Sequence, residues 1–230
     1  MCGRYTLRKI NLARAALEAM PRLPFDEFSE RPRFNVAPSQ IVPIVRLDTN
    51  GNRILTAARW GFIPAWAGPA PKATPINARA ESIATSPMFR PAFGSRRCLV
   101  PADGFYEWKG AKPPKQPYFI HFKNDDVFAF AGLWERSSPQ KDAEPIETFT
   151  IITTDPNQVA KPIHNRMPVI LRRADYAGWL EPRTPISDLK KLMQPYEADG
   201  MEAYAVSLAV NSPKNDDERC VKPNLSSSLF

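Results

Sequence analysis

Proline is the feature that most constrains how this chain can fold. It accounts for 25 of 230 residues, about twice the usual ~5%, and is spread along the chain instead of gathered in one tract. Such a chain is not a low-complexity linker. It is a loop-rich fold whose turns are fixed by proline. Its length suffices for one sizeable core and is too short for two average domains with a linker. Hydrophobic residues make up 43% and charged residues 24%, which excludes a largely disordered chain. No apolar run approaches the roughly 20 residues needed to cross a bilayer. The opening residues MCGRYTLRKI lack the apolar stretch of a secretory signal, so a cytoplasmic location is expected.

Between the prolines the pattern is mostly that of strands. IVPIVRL (41–47) and RILTAARW (53–60) flank Asn50-Gly51, a strong hairpin signal. Further strands are expected at 97–102, 117–123, 127–134, 148–154, 168–171 and 203–208, with 117–123 and 127–134 forming a second hairpin across Asn124-Asp125-Asp126. Apolar spacing predicts a short helix over 11–20, opened by Asn11, and helices near 173–181 and 186–194. Strands outnumber helices and do not alternate with them, which argues against a doubly wound parallel sheet. The expected class is α+β. A single domain over 1–222 would carry a curved, mostly antiparallel β-sheet or open barrel flanked by short helices, and 223–230 would form a disordered tail.

Lys plus Arg exceed Asp plus Glu by 31 − 24 = +7, a balance that suits a polyanionic partner. The three cysteines, Cys2, Cys98 and Cys220, show no CxxC spacing. With two histidines, neither a disulfide framework nor a metal centre is supported.

Cys2 is chemically distinctive. Initiator methionine is generally removed before a small residue, which would leave a cysteine with a free α-amine as well as a thiol. The reference pKa values are roughly 7.7–8.0 and 8.5, so each group is partly nucleophilic near neutral pH. A 1,2-aminothiol can condense with an aldehyde to a Schiff base and then close a thiazolidine ring. An ordinary surface cysteine is the plainer reading of position alone. Glu107 stands between Tyr106 and Trp108, where packing on aromatic faces would raise its pKa for acid–base work; the plainer alternative is an exposed strand glutamate. His164, in a proline-bounded loop, could shuttle protons or serve as a structural hydrogen bonder. Asn77 could orient a reacting amine or cap a turn.

Taken together, the segments are specific. MCGRYTL, FNVAPSQ (34–40), ARWGFIPAWA (58–67), INARAES (76–82), RCLVPADGFYEW (97–108), IHNRMPVIL (163–171) and VNSPKNDDERCVKP (210–223) occur in this order. The set closely resembles the SRAP (SOS-response-associated peptidase-like) family of abasic-site processing proteins, over nearly the whole chain. That resemblance implies covalent capture, by Cys2, of the open-chain aldehyde of an abasic deoxyribose in single-stranded DNA. It implies that Asn77 holds the cross-link nitrogen, that Glu107 shuttles protons, and that His164 meets the opened sugar hydroxyl. No metal and no cofactor is expected.

Arg4, Arg79 and Arg166 lie in the same motifs and are expected to clasp phosphates. Trp60, Phe62, Trp66 and Trp108 offer stacking faces for unpaired bases, with Trp60 the one most suited to a purely structural place. Cys220 and His121 are read as inert. One chain supplies every proposed site residue, so a monomer is expected. Two other functions stay open: an N-terminal-nucleophile peptidase with autocatalytic removal of Met1, and a non-catalytic single-stranded DNA-binding module.

Overall fold

The Asn50-Gly51 hairpin forms as expected. Gly51 takes a φ of 82°, the left-handed region that glycine enters freely, and the strands on either side pair from Ile41↔Arg59 to Leu47↔Arg53. This hairpin belongs to a computed structural model that describes residues 2–11, 17–18, 20–21, 31–67, 74–137 and 144–224. The strands are β1 (Arg4–Leu7), β2 (Met20–Pro21), β3 (Arg33–Val36), β4 (Ile41–Leu47), β5 (Arg53–Trp60), β6 (Asn77–Arg79) and β7 (Arg97–Ala102). They continue as β8 (Gly104–Lys109), β9 (Gln116–Phe122), β10 (Phe128–Ser137), β11 (Ile146–Thr154), β12 (Met167–Pro168), β13 (Ile170–Leu171) and β14 (Met201–Ala205).

Strands β4, β5, β11, β10 and β7 close into a ring. Four of its five pairings are antiparallel; the parallel pairing of β5 with β11 closes it, at Thr148↔Arg59 and Phe149↔Trp60. Closure removes the open edges that a curved sheet would otherwise present. After β5 the chain leaves the ring and returns as β6, again parallel to β11, with Asn77 opposite Ile151. The second sheet is antiparallel, in the order β14-β9-β8-β1-β3.

Alternation sorts the apolar side chains into three clusters. Val42, Ile44, Ala58, Trp60, Cys98, Val100, Phe130, Phe149 and Ile151 fill the ring and meet Cys2, Tyr5, Phe105 and Ile120 from the second sheet. Residues one step along those strands, such as Val45, Leu55, Leu99 and Ala131, face outward under Phe93, Trp179 and Leu189. These last come from the short helices Arg90–Ser95, Tyr176–Leu180 and Ile186–Leu192. On the far face of the second sheet, Tyr106 and Phe119 pack with Val206, Val210 and Cys220.

The architecture agrees with the expected α+β class, and both C-terminal helices form, the first preceded by a 3-10 turn at Arg173–Asp175. The second hairpin does not. β9 pairs with β8 and β14, whereas β10 pairs with β7, β11 and β13, so the turn at 124–126 carries the chain from one sheet to the other. Asp125, at φ 56°, receives Arg8 and Lys9 at 2.6 and 2.5 Å, and these long-range charges hold the corner. The strand expected at 168–171 splits because Pro168 has no N–H and Val169 reaches to both sides, donating to Ile152 and accepting from Ala131. The expected 11–20 helix lies mostly outside the described residues, as do residues 225–230 of the expected tail; its first two residues are instead held, Pro223 bridging to Val206 and Asn224 N–H donating to the Ala205 carbonyl at 2.8 Å.

Candidate active site

Two strands of the second sheet bring the N-terminus to an acid. β1 pairs with β8 at Arg4↔Tyr106 and Tyr5↔Phe105, which sets Cys2 and Glu107 at adjoining ends of the ladder. Cys2 is fully buried, its thiol 3.8 Å from the Arg4 carbonyl. Burial, reinforced by the Glu107 charge, pushes this thiol well above its ordinary pKa. This corrects the expectation of a partly ionised thiol: here it needs a base.

Glu107 is the group placed to be one. It is 1% exposed, and burial pushes its carboxyl up to about 7. The expected cause was packing on Tyr106 and Trp108. Strand alternation turns those rings to the opposite face, and Glu107 shares the inner face with Phe105. An acid with a pKa near neutrality can both give and take a proton at low cost.

His164 stands across from Glu107, with Nδ1 3.8 Å from Oε2. The Arg166 backbone N–H donates to Nδ1 at 3.0 Å. The Arg166 carbonyl lies 3.2 Å from the same nitrogen, so the neutral ring either accepts from that N–H with its proton on Nε2 or donates to that carbonyl with its proton on Nδ1; the shorter contact favours the first. Burial lowers the His164 pKa, which favours that neutral form. Asn77 enters from β6, where Trp60 Nε1–H donates to the Ile76 carbonyl at 2.9 Å and Ile151 N–H to the same carbonyl at 3.0 Å. The Asn77 amide nitrogen lies 3.5 Å from the Ile151 carbonyl. Its buried Oδ1 has no partner among the described residues. An acceptor left in that state favours an incoming N–H. Ile76 and Ile163, the residues before Asn77 and His164, pack against the cluster that contains Cys2. The four expected residues thus border one part of the core.

The expected DNA contacts divide. Arg79 is exposed at the end of β6, and Trp66 is 66% exposed. Trp108 is half-buried, its Nε1–H donating to Asn211 Oδ1 at 2.7 Å. Phe62 is fully buried against Phe89, so its expected role as a stacking face is corrected to a core role. Trp60 is fully buried as well, beside Tyr5 and Phe149. Arg4 spends its guanidinium on Asn35 Oδ1 and the Val210 and Asn211 carbonyls. Arg166 is bidentate on Glu81, at 2.6 and 2.9 Å. Neither of these two guanidiniums stands open, because a part-buried arginine needs acceptors for its N–H groups.

Three residues of the quoted motifs were not singled out from the sequence. Fully buried Asn35 donates to the Val210, Ser212 and Asn215 carbonyls, and Asp216 receives Arg33 and the backbone N–H groups of Phe34 and Asn35. Together they lock the C-terminal motif onto β3 beside β1. Glu81 is the third, and only its place in INARAES marked it.

The sequence profile of the SOS response associated peptidase (SRAP) family matches residues 1–213. The abasic site processing protein YoqW of Bacillus subtilis is 44% identical over 227 residues, covering 96% of this chain and 99% of its own. The abasic site processing protein HMCES of Gallus gallus is 31% identical over 225 residues, covering 84% of this chain and 66% of its own. A crystal structure of a Bacteroides thetaiotaomicron protein superposes with a TM-score of 0.85 at 29% identity, covering 97% of this chain and all of that one. With the profile spanning almost its entire length, this chain belongs to the SRAP family.

Proposed function

We propose that the protein senses abasic sites in single-stranded DNA and captures them as a covalent cross-link through Cys2. The observation that carries this reading is a buried N-terminal cysteine beside a carboxyl whose pKa is pushed up to about 7. The names of the abasic site processing relatives supply the substrate class.

The steps balance as follows. Removal of Met1 frees the Cys2 amine, which attacks C1′ of the open-chain sugar. Protonated Glu107 gives its proton to the departing oxygen, water leaves, and a C=N bond forms. Ionised Glu107 then takes the thiol proton, sulfur adds to the imine carbon, and the nitrogen is protonated, closing a thiazolidine. Asn77 Oδ1 accepts an N–H of the reacting amine, and neutral His164 bonds the opened sugar hydroxyl. Run backwards, the same proton transfers release the lesion, so any lyase character would come from the Schiff-base stage of one site. Arg79 and Trp66, both exposed, suit a strand whose phosphates and bases are open. The unit acts as a monomer in the cytoplasm and associates with the nucleoid when bound to DNA.

Incubation with matched abasic and intact oligonucleotides tests this reading. A denaturant-stable adduct formed on the abasic strand alone is the expected result. Peptide cleavage without an adduct would assign the residues to peptidase chemistry instead, and salt-sensitive binding with neither would make the protein a plain binding module.

A further inference from the structure

The two segments that carry Asn77 and His164 lie far apart in the chain and meet along β11. Arg79 pairs with Thr153, and Pro168 pairs with Thr153 from the other side. A side-chain bridge joins the two segments. Glu81, four residues after Asn77, grips both terminal nitrogens of Arg166, two residues after His164. The Arg166 Nη2 also donates to the Thr153 carbonyl at 2.7 Å, so the guanidinium is tied to the strand between them. Arg166 is 12% exposed, and Glu81 is held below the usual carboxylate range by this hydrogen-bonded fork. Asp155 also touches Nη1, at 3.1 Å, but by one oxygen and from a side chain 77% exposed.

From this geometry we infer that Glu81 is a positioning residue: by clamping Arg166 to the Asn77 segment it fixes the Arg166 backbone N–H on His164 Nδ1 and so sets the His164 ring and its Nε2–H tautomer. The link to reactivity rests on the proposed abasic-site chemistry; the link to the tautomer does not. Glu81 is itself 52% exposed, so the fork is what distinguishes it, because two parallel hydrogen bonds fix orientation whereas a single contact does not. A side chain set through another in this way can lose roughly 10- to 100-fold in rate when the geometry slackens.

The chain has two histidines, so imidazole ¹⁵N spectra report His164 with His121 as an internal reference. Wild type is expected to show His164 as the Nε2–H tautomer. Glu81→Gln and Arg166→Lys, which remove the charge or the fork, should each shift it to a mixture of tautomers and leave His121 unmoved. Asp155→Asn should leave both as they are. In parallel, Glu81→Gln should cross-link an abasic strand at least about tenfold more slowly, with unchanged affinity for the intact strand. An unmoved His164 tautomer in both Glu81→Gln and Arg166→Lys would overturn the inference. So would a slowed rate without a tautomer shift, or tighter binding of intact strand by Glu81→Gln, which would make Glu81 a competitor of phosphate for Arg166. If wild type forms no adduct, the proposed function fails, and the spectra still decide the tautomer claim.

Discussion

Asp103, in the bend before β8, and Glu107, within that strand, stand four residues apart, both buried, and their surroundings differ in kind. Asp103 accepts from Thr6 Oγ1 at 2.5 Å, from the Arg8 backbone at 2.5 Å and Nε at 2.9 Å, and from the Lys9 backbone at 3.1 Å. Its charge is matched, and it closes the corner between β7, β8 and the end of β1. Glu107 instead faces a thiol and, at 3.8 Å, an imidazole, in an environment that pushes its pKa to about 7. A buried carboxylate given its full set of donors is part of the frame. One whose desolvation outweighs the charges around it is held ready for proton transfer, at a cost to stability.

The largest effect should fall on rate. Glu107→Gln keeps shape and one acceptor but cannot move a proton, so cross-link formation and reversal should both slow by ~10²–10⁴-fold, with the final extent largely recovered after long incubation. Time courses of formation, and of exchange onto a competing abasic strand, measure this; wild-type rates in both would remove Glu107 from the proton path. Because wild-type Glu107 acts as base for the thiol when ionised, the pH profile of ring closure should rise through about 7 and level above it.

Asp103 should behave in the opposite sense. Asp103→Asn removes the buried charge that Arg8 Nε faces and leaves that side chain, 18% exposed, only Asp125, and should cost about 3 kcal/mol in urea unfolding. Cross-linking per folded molecule should be retained. A slowed rate in fully folded Asp103→Asn would erase the contrast between the two acids.

The same contrast predicts a pH-dependent gain at Glu107. Its folded pKa, about 7, is raised from 4.5, so between these values the folded state binds the proton more tightly. Stability from this group is fully present below pH 4.5 and is lost as pH rises through about 7, a loss of about 3 kcal/mol. Glu107→Gln should therefore be more stable than wild type at pH 8, by up to that amount, and should show little difference at pH 4. Urea titrations at both values check the sign.

The smallest effect concerns the exposed rim. Arg79→Ala should weaken binding to single strands of any sequence and lower the salt slope by about 0.7. An unchanged slope would leave Arg79 as a solvated side chain.

Local signals read well from the sequence. The Asn50-Gly51 turn, the strand spans and the C-terminal helices are set within a few residues of themselves, and the motifs single out Cys2, Asn77, Glu107 and His164, which the fold brings to border one part of the core. Long-range partnership was not legible. Nothing near residues 117–134 announces that Arg8 and Lys9 will take Asp125 and split the hairpin between two sheets. The parallel closure of β5 on β11 joins strands about ninety residues apart, which periodicity cannot register. Phe62 and Trp66 sit in one motif with similar chemistry, yet one is core and the other is open. Arg166 and Arg79 likewise look alike until Glu81 is seen to hold one of them. Burial and pairing are properties of the assembled fold, so the motifs group these residues without telling which of them will be buried, paired or open.

The central claim, covalent capture at the N-terminal cysteine, is tested most directly by intact-mass analysis of the protein incubated with an abasic oligonucleotide, followed by digestion to map the adduct. The expected species is the chain without Met1, joined to the oligonucleotide with loss of one water, the attachment mapping to Cys2 and disappearing in Cys2→Ala. An adduct of the same mass and stability in Cys2→Ala, or one mapping to a lysine, would contradict the account.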